Sequence, residues 1–190
     1  MENMDFEIDL FDEDVESVNA GKFKLPKHTK KIGRLGKNDA RIYIKAEVHE
    51  ALETYAATDT SKELGSFLLG DYWEDKKGIY HIVISDYVEA KHTDASKITL
   101  TYTHETWNDF FETKEKIYPE KKLVGWQHTH PNYGIFLSSY DLFIQEHTFC
   151  FPFQVAYVID PVRKRRGFFA WKDGKIDQLN PLKGYYIYKE

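Results

Sequence analysis

The residues whose types and spacing are best suited to metal binding or catalysis lie in one short segment, residues 125–141, which reads GWQHTHPNYGIFLSSYD. Its two histidines, His128 and His130, are two positions apart, and side chains two apart on an extended chain point the same way. Pro131 then interrupts the strand, because proline has no backbone N–H to continue the pairing. The spacing predicts that both imidazoles point at one place, where they can bind a single metal ion.

A carboxylate completes the set of ligands. Asp141 lies three residues after Ser138, which is a favourable residue for the start of a helix. Asp141 is therefore expected one turn into that helix, facing back toward His128 and His130. Two imidazoles and one carboxylate leave the fourth position of a tetrahedral zinc ion open to water, which is typical of catalytic rather than structural sites. We predict one Zn²⁺ per chain, with His128, His130 and Asp141 as its ligands.

This segment resembles the motif of the JAB/MPN (JAMM) metalloprotease family, which reads H-x-H, seven residues, S-x-x-D. His128, His130, Ser138 and Asp141 stand at the four motif positions with that spacing. The resemblance covers roughly residues 41–175. It implies an MPN/JAMM fold, and the compact domain without large inserts is similar to the prokaryotic-type ubiquitin-like isopeptidases.

The resemblance also implies an upstream glutamate on a strand, in an E-x-x-G-x-L-x-G context. The chain has Glu63, Leu68 and Gly70 at the corresponding positions, and Ser66 replaces one glycine. Carried over, Glu63 is the general acid/base that takes a proton from water and returns it to the leaving amine. Ser138 is then expected to stabilise the oxyanion with its hydroxyl.

Each of these residues also has a simpler interpretation. His128 and His130 can be ordinary strand histidines, and Asp141 can be a first-turn carboxylate favoured by the helix dipole. Ser138 can be a helix cap alone. A solvent-facing position is the usual one for a glutamate such as Glu63.

By resemblance, the reaction is hydrolysis of an isopeptide or peptide bond at the C-terminus of a ubiquitin-like protein or its conjugate. One alternative is a related peptidase acting on a sulfur-carrier protein. Another is the DNA-linked relatives that share the H-x-H…S-x-x-D spacing, against which the sequence Pro131-Asn132-Tyr133 after the second histidine counts. A third is a non-catalytic MPN scaffold that binds partner proteins, although such scaffolds usually lack the ligands.

The elements that must position these residues are those of a mixed α/β domain of the α+β type, with a mostly antiparallel sheet flanked by helices. Apolar periodicity predicts three helices, and runs of β-branched and aromatic residues predict the strands. The predicted helices are 46–57, 103–117 and 138–147, and the predicted strands are 41–45, 63–73, 79–88, 98–102, 123–127, 153–160 and 167–171.

The N-terminal stretch has a different character. Residues 1–16 carry eight acidic and no basic groups, and residues 22–37 carry seven basic and no acidic groups. We predict a charged, flexible leader over residues 1–38 and the metalloprotease domain over 39–190. The first interpretation of the leader is a solvated tail. The alternative is an arm for partner docking or autoinhibition, to which the apolar residues within the acidic block give some weight: Phe6, Ile8, Leu10 and Phe11.

Composition limits the remaining possibilities. The formal charge of −5 carries no signature of a nucleic-acid partner. The single cysteine, Cys150, excludes an internal disulfide and an all-thiolate zinc site, and its apolar neighbours predict a buried thiol. His104 and His147 are expected at the surface, and residues 163–166 (RKRR) at the tip of a turn.

The sequence gives no indication of a membrane partner. No stretch approaches the roughly 18 consecutive apolar residues that a spanning helix needs. The N-terminus also lacks the pattern of a signal peptide. We expect a cytoplasmic protein, and the sequence does not predict its oligomeric state.

Overall fold

The computed structural model describes residues 25–190, which form ten strands and three helices. The elements in chain order are β1 (His28–Gly33), β2 (Arg41–Lys45), α1 (Ala46–Ala56), β3 (Gly65–Glu74), β4 (Tyr80–Glu89), β5 (Asp94–Ala95), β6 (Leu100–Thr101), α2 (His104–Ile117), β7 (Lys122–Thr129), α3 (Ser139–His147), β8 (Val155–Asp160), β9 (Arg165–Phe169) and β10 (Gly184–Lys189).

Eight strands form one sheet in the order β1-β10-β2-β4-β3-β7-β8-β9, and β5 and β6 form a separate small hairpin. Four of the seven neighbouring pairs in the large sheet are antiparallel, and β10–β2, β2–β4 and β7–β8 are parallel. The predicted mixed α/β fold with a mostly antiparallel sheet and flanking helices is confirmed.

The two faces of the sheet bury different clusters, because alternate residues of a strand point to opposite faces. On one face, Ile42 and Ile44 of β2 pack in a cluster with Leu52 of α1. On the other face, Trp126 of β7 packs in a second cluster with Phe110 of α2 and other aromatic residues. The helices α1 and α2 therefore cover opposite faces of the sheet.

The predicted helices agree with α1, α2 and α3 to within one residue at each end, since Thr103 and Ser138 are the caps of α2 and α3. The strand predicted over 98–102 was too long, because only Leu100–Thr101 pairs, with β5. No strand was predicted at β1 or β10. The remaining strands lie within a few residues of their predicted positions.

Part of the predicted leader belongs to the sheet. His28–Gly33 pairs antiparallel with β10 along its whole length. Residues 1–24, which include the acidic block, lie outside the described residues, so their role as a leader stays a prediction. The division between leader and domain at residue 38 does not coincide with the beginning of the sheet.

Cys150 is exposed, so the prediction of a buried thiol was wrong. The neighbouring Phe149 fills the buried position in its place, with no exposed surface. His104 and His147 are at the surface, and residues 163–166 lie at and beside the turn between β8 and β9, as predicted. Across residues 25–190, no helix has both the length and the apolar character needed to cross a bilayer.

Candidate metal centre

The two histidines of the motif lie at the end of β7, between β3 and β8 in the interior of the sheet. His128 is completely buried and His130 is almost so. The alternation of the strand directs both side chains to one side, and their Nε2 atoms are 3.1 Å apart. The structure therefore brings His128 and His130 together as the spacing predicted.

The beginning of α3 supplies the carboxylate. Ser138 Oγ accepts a hydrogen bond from the Asp141 backbone N–H at 3.1 Å, and Asp141 Oδ2 accepts one from the Ser138 N–H at 2.7 Å. This capping box fixes the first turn and holds Asp141 against the histidines. Asp141 Oδ1 lies 3.4 Å from His128 Nε2, and Oδ2 lies 3.3 Å from His130 Nε2.

These three buried side chains can hold a metal ion, because one ligand atom from each lies within 4.8 Å of the other two. The interpretation of Ser138 as a helix cap is also correct. Its role in catalysis stays a prediction, because capping neither requires nor excludes that role.

Glu63 lies two residues before the first residue of β3 and is buried beside the histidines. Its Oε1 atom lies 3.7 Å from His130 Nε2, and its Oε2 atom has no hydrogen-bond partner within residues 25–190. The backbone around it is held firmly, since the Glu63 N–H donates to the Ser96 carbonyl at 2.7 Å and the Leu64 N–H donates to Thr129 Oγ1 at 2.8 Å. The solvent-facing interpretation of Glu63 is therefore wrong.

The electrostatics of the site favour the neutral form of His128 and the charged form of Asp141. Burial lowers the pKa of His128, although Asp141 opposes this effect. Burial works against the charged form of Asp141, but the nearby His128, His130 and Ser138 outweigh it and hold the pKa of that carboxyl well below its usual range. Neutral imidazole and carboxylate are the forms that bind metal ions.

The pKa of Glu63 is shifted in the opposite direction to that of Asp141. Burial, together with the neighbouring charge of Asp141, raises the pKa of Glu63 to about 8. Two carboxyl groups with separated pKa values in one buried site are typical of acid–base chemistry.

Two supporting residues were not predicted from the sequence. Trp126 stacks flat on His128, with ring centroids 4.3 Å apart, and its indole N–H donates to Gln145 Oε1 at 2.8 Å. A tryptophan two residues before a strand histidine indicates this contact, because both side chains project from the same face.

Asp160 supports the other histidine through a turn. His130 Nδ1 lies 3.3 Å from the Gly134 carbonyl oxygen, which it can reach as a donor. Asp160, at the end of β8, accepts the Gly134 N–H at 2.8 Å and the Asn132 N–H at 3.0 Å. Its carboxylate thus holds the turn that follows the histidines, and no local sequence signal predicts this contact.

Comparison with known proteins assigns the family. The family model described as JAB1/Mov34/MPN/PAD-1 ubiquitin protease matches residues 40–149, which include the histidines, the aspartate and Glu63. The protein belongs to this family.

Two curated relatives match parts of the chain. The NAD(+) hydrolase TcpA of Theionarchaea archaeon (strain DG-70-1) is 33% identical over 79 residues, which cover 41% of this chain and 24% of that protein. The protein F37A4.5 of Caenorhabditis elegans is 29% identical over 119 residues, which cover 60% of this chain and 34% of that protein. The chain thus spans about a quarter and a third of the lengths of these relatives.

A solved structure supports the fold. Protein DSY2949 from Desulfitobacterium hafniense superposes with a TM-score of 0.56 and 16% identity, over 78% of this chain and 94% of that one. At this identity the likeness concerns the fold alone.

Proposed function

We propose that the protein is a zinc-dependent hydrolase that cleaves an isopeptide or peptide bond at the C-terminus of a ubiquitin-like protein. The observation that carries this proposal is the buried group of His128, His130 and Asp141, with the Glu63 carboxylate 3.7 Å from the imidazole of His130. A family whose description names a ubiquitin protease is consistent with that reaction and with that class of substrate.

The donor set fits zinc. Ligand atoms held tetrahedrally at about 2.0–2.1 Å from zinc lie about 3.3 Å from one another. The two Nε2 atoms are 3.1 Å apart, which is close to this value. The two Asp141 oxygens each approach a different histidine, with Oδ1 3.4 Å from His128 Nε2 and Oδ2 3.3 Å from His130 Nε2, and one ligand atom from each residue lies within 4.8 Å of the other two. Two nitrogens and one oxygen also form the ligand set of many catalytic zinc sites, in which one position stays open.

Zinc, when bound, supplies a Lewis acid that polarises the scissile carbonyl and makes water more acidic. Glu63 then receives a proton from the attacking water and delivers it to the departing amine. Burial raises the pKa of Glu63 in the metal-free site to about 8, and the positive charge of zinc would act against this rise, so both the carboxylate that accepts the proton and the carboxylic acid that releases it are accessible near neutral pH.

Ser138 is the proposed donor to the oxyanion. Its Oγ atom accepts one hydrogen bond from the Asp141 N–H and still carries a hydrogen of its own. A hydroxyl donor beside the metal ligands suits the negative charge that develops on the substrate oxygen.

The substrate tail is proposed to bind in an extended form and to add a strand near the metal ligands. An extended tail is narrow enough to bring a peptide or isopeptide carbonyl toward the buried Glu63. This feature favours a ubiquitin-like protein or its conjugate as the partner, and a sulfur-carrier protein with a similar tail is the second candidate.

The test combines metal analysis with a panel of substrates. Purified protein is expected to contain about one zinc per chain, and His128→Ala and Asp141→Ala are each expected to lose most of it. The exposed histidine variant His104→Ala is the matched control and is expected to keep its zinc. Unchanged metal content in both ligand variants would contradict the assignment.

The zinc-loaded protein is then incubated with ubiquitin-like and sulfur-carrier proteins, each joined through its C-terminus to a lysine or to a second chain. NAD⁺ is included in the panel because the archaeal relative TcpA is named an NAD(+) hydrolase. Cleavage at the modifier C-terminus supports the proposal. Stable zinc binding without cleavage of any conjugate would instead indicate a scaffold.

A further inference from the structure

Tyr102 directly follows β6, and its ring packs against the large sheet. The ring lies against Phe67 of β3, with 5.0 Å between the centroids, and meets the Trp126 indole of β7 edge-on at 6.0 Å. The Tyr102 Oη atom is buried and has no hydrogen-bond partner within residues 25–190. Such a hydroxyl costs free energy, so buried hydroxyls are normally bonded to protein or to ordered water.

The backbone on both sides of Tyr102 is anchored. Thr101 Oγ1 lies 2.8 Å from the Tyr140 hydroxyl on α3, and Thr103 Oγ1 donates to the His92 carbonyl at 2.7 Å. Thr103 is also the cap of α2. The ring is therefore held by its backbone as well as by its aromatic neighbours, and its hydroxyl keeps one direction.

The hydroxyl points at a glycine beside the metal centre. A Cβ atom at position 65 would lie 2.9 Å from Tyr102 Oη, so a larger residue than Gly65 would displace the hydroxyl. Gly65 pairs directly with His128. Glu63 lies two residues before Gly65, and residues two apart on an extended chain share a face. The Tyr102 hydroxyl is thus a neighbour of Glu63.

Glu63 has an unsatisfied atom of its own. Its Oε1 atom lies 3.7 Å from His130 Nε2, but its Oε2 atom is buried and has no hydrogen-bond partner among the described residues. Burial raises the pKa of Tyr102 well above its usual value, and Tyr55, Asp141 and Glu63 add to this rise. The hydroxyl therefore keeps its proton and remains able to donate.

A single water molecule can satisfy both groups. Buried waters typically make about three hydrogen bonds to polar groups that otherwise lack partners. The Tyr102 hydroxyl can donate to such a water, and the water can either donate to a carboxylate or accept from a carboxylic acid. The contact with Glu63 is therefore kept when that carboxyl gains or loses a proton.

We propose that Tyr102 is a positioning residue for Glu63, and that one buried water bridges the Tyr102 hydroxyl and Glu63 Oε2. The bridge holds the second carboxyl oxygen, so that Oε1 stays beside the metal ligands, where the proposed proton transfer takes place. The effect on proton transfer rests on the proposed function, whereas the bridge itself is independent of it.

The simpler interpretation is that only the ring of Tyr102 contributes. Phenylalanine at position 102 keeps the aromatic packing and removes the hydroxyl alone, and the two interpretations predict opposite changes in stability. Loss of a bonded hydroxyl destabilises the fold, whereas removal of an unbonded buried hydroxyl stabilises it. The sign of the change in stability therefore separates them.

The experiment is a double-mutant cycle on the full chain, with urea unfolding at neutral pH and equal zinc. Tyr102→Phe is expected to lower the urea midpoint by about 0.5 M, which is the order expected for one hydrogen bond. Glu63→Met removes the carboxyl at similar side-chain length and therefore removes the bridge. In that background, Tyr102→Phe is expected to leave the midpoint unchanged or to raise it.

Tyr157→Phe is the matched control. Tyr157 is a fully buried tyrosine whose hydroxyl lies 3.4 Å from Glu53 Oε1, in the cluster on the other face of the sheet. Its substitution is expected to shift the midpoint equally with and without Glu63→Met, because distant sites contribute additively.

Two further measurements address the bridge and its role. In crystals of the zinc-loaded protein, an ordered water is expected within about 3.2 Å of both Tyr102 Oη and Glu63 Oε2, and it is expected to be lost in Tyr102→Phe. With a conjugate that the protein cleaves, Tyr102→Phe is expected to lower kcat by about 10-fold, because misplacement of a reacting group slows the chemical step. KM and the zinc content are expected to stay unchanged.

A urea midpoint that rises or does not change in Tyr102→Phe would show an unbonded hydroxyl and overturn the proposal. An equal fall with and without Glu63→Met would also overturn it, because the hydroxyl would then be bonded to a group other than Glu63. Coupling between the two residues in a protein that cleaves no conjugate would support the bridge and count against the proposed function alone.

Discussion

The indole ring of Trp126 lies flat on the imidazole of His128, with 4.3 Å between the centroids and 12° between the planes. Histidines that bind metals usually donate their second ring nitrogen to a carboxylate or a carbonyl, which fixes the ring. His128 Nδ1 is buried and has no hydrogen-bond partner among the described residues. The flat stack, held through Gln145, therefore fixes the orientation of this imidazole.

Trp126→Leu is accordingly expected to weaken zinc binding by about 10–100-fold, the usual effect of losing a residue that orients a ligand. Trp126→Phe is the matched control, because a phenyl ring can still stack on His128 although it cannot donate to Gln145. Competition with a chromophoric chelator measures both affinities. Zinc binding by the leucine variant as tight as that of the wild type would contradict the role of the stack.

The second histidine depends on Asp160, so Asp160→Asn is expected to lower zinc affinity by about 10–100-fold. The asparagine offers one acceptor oxygen where the carboxylate accepts four backbone N–H groups, from Asn132, Gly134, Val162 and Arg163. With the turn loosened, the Gly134 carbonyl no longer holds His130 Nδ1.

Asp39→Asn is the control for Asp160→Asn, because Asp39 also accepts a backbone N–H in a loop, that of Gly36 at 2.9 Å. It lies outside the metal centre and is expected to keep the wild-type zinc affinity. Equal losses in the two variants would mean that Asp160 acts on folding in general rather than on His130.

The arrangement of the ligands was predictable because each part of it is local. Two histidines on one strand share a face through the period of the strand, and Ser138 and Asp141 form a capping box within one helical turn. Glu63 required the family resemblance, because its proximity to His130 depends on the pairing of β3 with β7. Sequence spacing alone does not indicate that pairing.

The parts that could not be predicted depend on distant contacts. Strand β1 pairs with β10, so residues near the two ends of the chain stabilise each other. The basic sequence of His28–Gly33 has no alternation that would indicate a strand. Asp160 likewise binds a turn 28 residues earlier in the chain, so only the folded structure reveals its role.

Glu63→Gln is expected to retain zinc and to lower kcat by roughly 10²–10⁴-fold, because the amide cannot accept the proton from water. The matched control is Glu50→Gln on the exposed side of α1, which is expected to leave kcat unchanged. Cleavage of the best conjugate found in the substrate panel gives kcat, and metal analysis gives the zinc content. Full activity of Glu63→Gln with normal zinc would remove Glu63 from the mechanism.

A histidine outside the metal centre contributes to the pH dependence of stability. His49 of α1 is buried, with its Nε2 atom 3.2 Å from the Tyr185 hydroxyl and 3.5 Å from Arg166 Nη1. Burial, assisted by the charge of Arg166, lowers the pKa of His49 from 6.5 to about 4. Between these values the unfolded chain binds a proton that the folded chain does not, so folding becomes less favourable as the pH falls.

The contribution of neutral His49 to the free energy of unfolding is therefore complete above pH 6.5 and is lost progressively as the pH falls to about 4. At ~1.4 kcal/mol per pH unit, the total loss over this range is about 3 kcal/mol. Urea unfolding of metal-free protein between pH 7 and pH 4 measures this loss of stability.

His49→Gln, which has no proton to gain, is expected to lose about 3 kcal/mol less stability over this range than the wild type. His147→Gln, at the exposed end of α3, controls for the loss of an imidazole and is expected to follow the wild type. Parallel curves for the wild type and His49→Gln would show that His49 does not resist protonation, and the acid sensitivity would then have to come from other groups.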